Sequence, residues 1–185
     1  MKLPREPTTE RETILRAQIG DRGAFSQLVD IYDRRLLYFV RRILGEEEAA
    51  FDVLQAVWLT VHRKLHGLKS ADAFRVWLFR IAHDQAVNEL RRKSRRPVPV
   101  EEVESDVDNE QENDLEAAFD NAELVHLGLQ RLSVDHRRIL TLRFLEEMKI
   151  KEIAEVLGCQ DGTVKSRLHH ARHALRRQIE EIQDG

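Results

Sequence analysis

MKIKEIAEVLGCQDGTVKSRLHHARHAL, from Met148 to Leu175, is the stretch whose reading decides the fold. Ile150, Ile153, Ala154 and Leu157 repeat at helical spacing and are followed at once by Gly158. Glycine tolerates the left-handed conformation that β-carbons disfavour, so a sharp turn is expected there. A second helix is predicted to open near Asp161-Gly162-Thr163, with Val164, Leu168, Ala171 and Leu175 on one side. Projected at about 100° per residue, the other side carries Gly162, Ser166, His169, His170 and His173, flanked by Lys165 and Arg172. One face is apolar and the other offers hydrogen-bond donors and positive charge. An ordinary helical hairpin with a solvated basic face is the competing reading. The coincidence of turn, periodicity and donor face favours a helix-turn-helix whose second helix enters a DNA major groove.

Working outward, the 185 residues hold only 8 Gly and 4 Pro between long apolar-periodic stretches, which points to an all-α protein. The single Cys159 excludes an internal disulfide and fits a reducing compartment. No apolar run approaches the ~18 residues needed to span a bilayer, and the charged start MKLPREPTTERETILR lacks the apolar segment of a secretory signal. A cytoplasmic location without membrane insertion is expected. The formal net charge of -3 hides a segregation of charge. From Pro97 to Glu123 there are 11 acidic residues and no Lys or Arg, leaving 30 basic against 22 acidic residues elsewhere. Residues 1–96 carry 19 basic and 13 acidic side chains, and 124–185 carry 11 and 9. Two mildly basic modules therefore flank an acidic tether, and a phosphate backbone meets the local field rather than the net charge.

Pro97 and Pro99 end the first module after the basic run Arg91 to Arg96. The acidic stretch beyond them has no aromatic residue and no helical stripe up to Asp114, and it reads as a solvated linker. Helices are predicted over Glu10 to Ile19, Asp21 to Leu44, Glu46 to Leu65 and Ala71 to Arg95. Their expected core stripes include Leu28, Tyr32, Leu36 and Phe39, then Phe51, Leu54, Trp58 and Val61, then Phe74, Trp77, Leu78, Ile81 and Leu90. Trp77 falls on the last stripe and reads as core packing rather than as a base-stacking platform. The second module adds helices from about Asn113 to Leu132 and from Val134 to Leu145 ahead of the helix-turn-helix. The architecture expected is all-α, with two helical domains (1–97 and 113–185) joined by a flexible acidic linker (98–112).

Leu132, Arg137, Leu142-Arg143, Glu152-Ile153-Ala154, Leu157-Gly158 and the run Gly162 to Arg172 resemble the promoter-binding domain of extracytoplasmic-function sigma factors of bacterial RNA polymerase. Independently, Gly20-Asp21, Ala24-Phe25, Ala50, Asp52, Gln55, Leu59, Phe74, Trp77-Leu78, Arg80-Ile81-Ala82 and Leu90-Arg91 resemble that family's other domain. The two signatures stand in the family's order and cover nearly all of the chain outside the linker. The sequence departs from the pattern at Phe51 and Ala56, where acids are usual, and at Asp84 and Asn88, where Asn and Asp are exchanged. His170 replaces an arginine, and Glu147 and Lys149 replace a glycine turn and a serine cap.

The resemblance implies a factor that binds core polymerase and directs promoter-specific initiation, with no catalytic group, cofactor or metal of its own. It gives the second module the upstream (-35) promoter element. Lys165, Ser166, His169 and His170 are expected to read base edges there, with His173 on the same face. Thr163 and Arg167 are better placed for phosphates, although Thr163 equally suits first-turn stabilisation of its helix. It gives the first module the melted downstream (-10) element, where a base is flipped into a pocket near the loop from His66 to Asp72. Lys69, Ser70, Asp84 and Asn88 are the candidates for that pocket, with Arg80, Arg91 and Arg92 on phosphates. Asp52 and Gln55 lie three apart on one helical face; spacing alone leaves a solvated face open, whereas the resemblance assigns it to the β′ clamp helices. The β subunit, promoter DNA and an anti-sigma factor complete the implied partners, the linker threading toward the RNA path. Only about ten residues follow Leu175, so regulation is expected from outside the chain.

Two other classes compete. A DNA-binding regulator that does not join polymerase explains the helix-turn-helix but leaves the first module without a task. A metal-sensing or catalytic protein would use His169, His170, His173 and Cys159, but no carboxylate or second cysteine completes a tetrahedral set nearby in sequence. Limited proteolysis checks the domain reading: the first cut is expected between Pro99 and Asp114. Digestion of either module ahead of that segment would refute it.

Overall fold

In the computed structural model, residues 9–93 and 122–183 are described, and the chain divides into two units, Met1–Arg92 and Lys93–Gly185. Among the described residues the regular structure is entirely helical. The predicted linker, the run Ser94 to Arg96 and the start of the helix predicted from Asn113 lie outside the described residues.

The first unit contains α1 (Glu10–Gln18), α2 (Arg22–Leu44), α3 (Glu47–Lys64) and α4 (Phe74–Lys93). The starts of α1 and α2 have a local cause. The Thr9 hydroxyl accepts from the Glu12 N–H at 3.3 Å, and the Asp21 carboxylate accepts from the Ala24 N–H at 3.0 Å, each satisfying a donor that has no partner inside its helix. Asp21 also takes a 2.6 Å bond from Arg16. Together the Ala24 N–H and the Arg16 guanidinium hold its carboxyl below the ordinary carboxylate value. That capping contribution is present above the unfolded-state pKa and is lost as pH falls through the depressed one. At the far end of α2, Gly45 stands at φ 76°, and its N–H closes the helix on the Arg41 carbonyl at 2.9 Å.

α2 is the spine of this unit. Leu28, Tyr32, Leu36, Phe39, Val40 and Ile43 are buried along it. Edge-to-face pairs Tyr32–Phe74 (5.6 Å) and Phe39–Phe79 (5.4 Å) bring α4 onto it. Polar bonds fix the register: the Trp58 indole N–H donates to Asp33 at 2.9 Å, and the Gln85 amide donates to the Thr60 hydroxyl at 2.8 Å.

The second unit contains α5 (Ala122–Gln130), α6 (Val134–Leu140), α7 (Ile150–Leu157) and α8 (Asp161–Gln183). α5, α6 and α7 all pack on α8. Its buried Val164, Leu168, Ala171, Leu175 and Ile179 keep helical spacing. Gly158 takes φ 66°, ψ 38°, and its N–H bonds the Ala154 carbonyl, so the expected turn stands where the sequence puts it. Glu147 is the one non-glycine residue at positive φ (51°) among the described residues. A side chain there works against a conformation that costs an L-residue about 1–2 kcal/mol. Lys149 has no acceptor to offer the first turn of α7, so only the return half of a capping box forms, the Glu152 carboxylate accepting from the Lys149 N–H at 2.7 Å.

Several expectations need correction. The buried stripe of α3 is Ala49, Ala50, Val53, Leu54, Val57 and Val61, whereas Phe51 is 46% exposed and Trp58 is half-buried. Two neighbouring stripes of α3 are apolar, and packing against α2 selects the smaller side chains. On α4, Val76, Phe79, Ala82, His83 and Ala86 join Phe74 and Leu78 in the core, while Trp77, Ile81 and Leu90 are half-buried. The helix predicted to reach Leu145 ends at Leu140 and continues as a π turn, Thr141–Leu145, where the Thr141 hydroxyl bonds back to the Arg137 carbonyl at 2.8 Å.

α5 meets α8 tightly at Gly128, where a Cβ would stand 2.9 Å from Leu175 Cδ1 and 3.3 Å from Ile179 Cγ1. Gly128→Val overpacks this contact and is expected to cost about 2 kcal/mol. Thermal melting of the second unit, followed by circular dichroism, should fall by roughly 10 °C. An unchanged midpoint would show that α5 moves aside freely.

Candidate nucleic-acid interfaces

The surface of α8 differs from the face drawn from its sequence. Lys165 and His173 are exposed, and Thr163, His169, His170 and Arg172 are partly so. Ser166 and Arg167 are buried, at 6% and 8% exposure. Arg167 borders the apolar stripe in projection, so the packed helices cover it. Helical side chains lean toward the N-terminus, which sets the short Ser166 side chain beneath the turn of His169 and His170. The imidazoles gather instead: the His169 and His173 rings lie 4.5 Å apart and those of His169 and His170 5.5 Å apart, both edge-on. The structure thus brings Lys165, His169, His170 and His173 to one accessible strip and withdraws Ser166 and Arg167 from it.

His173 is held below its ordinary pKa, first by partial desolvation and then by His169, Arg176, His170 and Arg177. It is therefore a neutral donor or acceptor near neutral pH. Cys159, in the turn before α8, is half-buried, and burial pushes its thiol up despite the pull of Arg167 and Arg138. A raised thiol is a poor nucleophile and a poor metal ligand. Among the described residues, no group of His, Cys, Asp and Glu stands together in a way that could hold a metal ion.

In the first unit, α3 and α4 are joined by 3-10 turns at Leu65–Gly67 and Ala71–Ala73. Leu65 and Ala71 are buried and pin the ends of the crossing, while Lys69 and Ser70 between them are exposed. The Ser70 hydroxyl accepts from the Asp72 N–H at 3.3 Å. Along α4, Arg80, Asp84, Asn88, Arg91 and Arg92 are all exposed and recur at helical spacing on one side. Asp84 faces the His83 Nδ1 at 3.2 Å, and Arg92 forms a two-pronged pair with Glu89 at 2.8 Å. The Glu89 carboxylate raises the Arg92 pKa. Fourteen residues of helix separate Phe74 from Asn88, about 21 Å at 1.5 Å per residue. Lys69 and Ser70 therefore do not share a single-base pocket with Asn88. The set forms a track leading away from the loop.

Asp52 and Gln55 are exposed on α3, as spacing required. Reasoning from sequence missed the apolar company they keep, Phe51 at 46% and Leu59 at 58% exposure. Periodicity puts Phe51 in the core, and the signal against it is the adjoining run of Ala50, Val53 and Val57, which offers a second apolar stripe.

With this geometry established, comparison with known proteins is specific. Residues 28–96 match the family model for sigma-70 region 2, and residues 122–175 match that for sigma-70 region 4. The chain is 33% identical over 183 residues to the RNA polymerase sigma-H factor of Pseudomonas aeruginosa, covering 94% of this chain and 95% of that one. It is 30% identical to the ECF RNA polymerase sigma-E factor of Escherichia coli K12, covering 96% and 97%. Among solved structures it resembles CnrH in complex with the cytosolic domain of CnrY, with TM-score 0.64, 25% identity and coverage of 93% and 97%. It shares the fold of the sigma factor RpoE in complex with the anti-sigma factor NepR from Bartonella quintana, with TM-score 0.64, 22% identity and coverage of 84% and 96%.

The imidazole strip generates a pH test. DNA phosphates beside His173 favour its charged form, so binding takes up protons and tightens as pH falls, by at most about tenfold per pH unit for each proton. Residues 113–185 are expected to bind a cognate duplex at least ~threefold more tightly at pH 6 than at pH 8 at fixed salt, read by fluorescence anisotropy. The gain should shrink in His170→Arg, which carries a permanent charge. Equal affinity at both pH values would place the histidines away from DNA.

Proposed function

The chain belongs to the extracytoplasmic-function sigma factors of the sigma-70 family, and from that premise we propose how its surfaces divide the work of initiation. As a sigma factor of this kind it binds core RNA polymerase and directs promoter-specific transcription initiation. The second unit reads the upstream element through the accessible strip of α8. Lys165, His169, His170 and His173 meet base edges and phosphates, and Thr163 lies at the start of the helix. The buried Ser166 and Arg167 are assigned to holding α8 at the right rotation, Arg167 reaching phosphate only at the rim.

The first unit handles the melted element. The loop carrying Lys69 and Ser70 receives an unstacked base, and the α4 track of Arg80, Asp84, Asn88, Arg91 and Arg92 guides the strand that leaves it. On the opposite duty, Asp52 and Gln55, with Phe51 and Leu59 beside them, dock on the polymerase clamp helices. An acid and an amide set among exposed apolar groups suit a helical partner that offers both charge and apolar surface. The region between the units, 98–112, is assigned to the polymerase's basic RNA path. No step needs a catalytic group from this chain, which acts in the cytoplasm beside the polymerase and DNA. An anti-sigma factor is its regulator by analogy with the complexed relative.

The observation that supports this division best is that exposed donor-bearing faces stand on separate units, α8 in one and α4 in the other. Run-off transcription with core polymerase and the promoter of the chain's own operon tests it. Transcript that depends on both promoter elements supports it, whereas DNA binding without polymerase recruitment would favour the simple regulator. Asp52→Lys reverses a charge on the docking face and is expected to weaken core affinity by about tenfold or more. Unchanged affinity in a normally folded variant would remove Asp52 from the interface.

A further inference from the structure

The loop between α3 and α4 has little structure of its own to define where Lys69 and Ser70 stand. Its internal bonds sit at its two ends: the Leu68 N–H to the Leu65 carbonyl at 3.1 Å, and, further on, the Ala73 N–H to the Ser70 carbonyl at 3.2 Å, the Phe74 N–H to the Ala71 carbonyl, and the Ser70 hydroxyl accepting from Asp72. The middle is held from elsewhere. Gln18, the last residue of α1, donates its side-chain amide to the Leu68 carbonyl at 2.7 Å and to the Leu65 carbonyl at 3.3 Å. An amide NH2 carries two hydrogens, and here they bridge two carbonyls three residues apart, closing the turn like a clasp.

The donor is itself well fixed. α1 is capped by Thr9, buries Ile14 and Ala17, ties Glu10 to the Tyr32 hydroxyl and ties Arg16 to Asp21. A side chain on such a support places its partner with little freedom, as a precise recognition site needs. Lys69 and Ser70 follow directly on the clasped Leu68 carbonyl.

We propose that Gln18 is a positioning residue for the melted promoter strand: by clasping the Leu65 and Leu68 carbonyls it sets where Lys69 and Ser70 meet the unstacked base. The inference rests on the reading of this loop as the base-receiving segment. Gln18 itself touches no nucleotide. Removing it is expected to blunt the choice between bases while leaving polymerase binding intact, because Asp52 and Gln55 lie on another helix.

The test uses holoenzyme assembled from the full chain and core polymerase on promoters carrying each base in turn across the melted element. Gln18→Leu removes both donors. Gln18→Glu keeps the shape but replaces the donors with acceptors that repel the carbonyls, and it serves should leucine disturb folding. Gln18→Lys retains a donor. Lys69→Ala and Ser70→Ala probe the loop directly. Base preference is expected to fall about fivefold in Gln18→Leu and Gln18→Glu, the scale of one hydrogen bond, at the same position that responds to Lys69→Ala and Ser70→Ala. Gln18→Lys should keep most of that preference, and core affinity and upstream-element preference should be unchanged throughout. Amide exchange over residues 66–70 should quicken in Gln18→Leu. If the loop variants lose preference and the Gln18 variants do not, the positioning role is wrong while the loop reading stands. If none of the variants changes preference, the loop reading fails and Gln18 falls with it. A uniform loss of activity on every promoter would mark Gln18 as merely structural and overturn the proposal.

Discussion

The five apolar side chains of α8, from Val164 to Ile179, must be covered by α5, α6 and α7, and this burial fixes the rotation of α8 about its own axis. Everything the second unit offers to a ligand follows from that rotation. Lys165 and the imidazoles face outward because the opposite side is the core, and Arg167 is withdrawn because it borders the stripe. Dispersion and desolvation are spread over many contacts, so the setting is stiff. The Glu152 bond to the Lys149 N–H caps the start of α7, and the left-handed Gly158 ends it and turns the chain toward α8.

The first unit solves a different problem. Under the proposed function its surfaces meet protein on α3 and nucleic acid on the loop and α4, and the residues assigned to both are exposed rather than buried against one core. α2 supplies that core, and a few directed polar bonds set the rest. Trp58 to Asp33 and Gln85 to Thr60 lock α3 to α2 and α4. Bonds of this kind contribute only about 1 kcal/mol each to stability, but they specify register, which apolar contact alone leaves loose. Gln18 extends the same principle to a loop with little bonding of its own.

Among the described residues, left-handed backbone is confined to glycines with one exception, Glu147. It stands beside the start of α7, where the family pattern that the sequence resembles has a glycine turn. A glycine would suit this conformation better; backbone bonds on either side, Glu146 N–H to the Thr141 carbonyl and Met148 N–H to the Leu142 carbonyl, hold the chain path between the π turn and α7 against that local preference.

Much of this was determined by the sequence itself. Gly45 and Gly158 end their helices where glycine alone takes the left-handed conformation without strain, and Thr9, Asp21 and Ser133 start theirs as side-chain acceptors. The stripes of α2 and α8 were readable because one apolar face is unambiguous there. On α3 the sequence carries adjoining apolar stripes, and periodicity cannot choose between them; contact with α2 chose Ala50 and Val57 and left Phe51 outside. The burial of Ser166 and the reach of Gln18 to a carbonyl 50 residues away were likewise decided only by the folded chain. Periodicity reports that a helix has a face. Only its neighbours decide how much of that face is covered, and a bond between distant segments leaves no local trace in the order of residues.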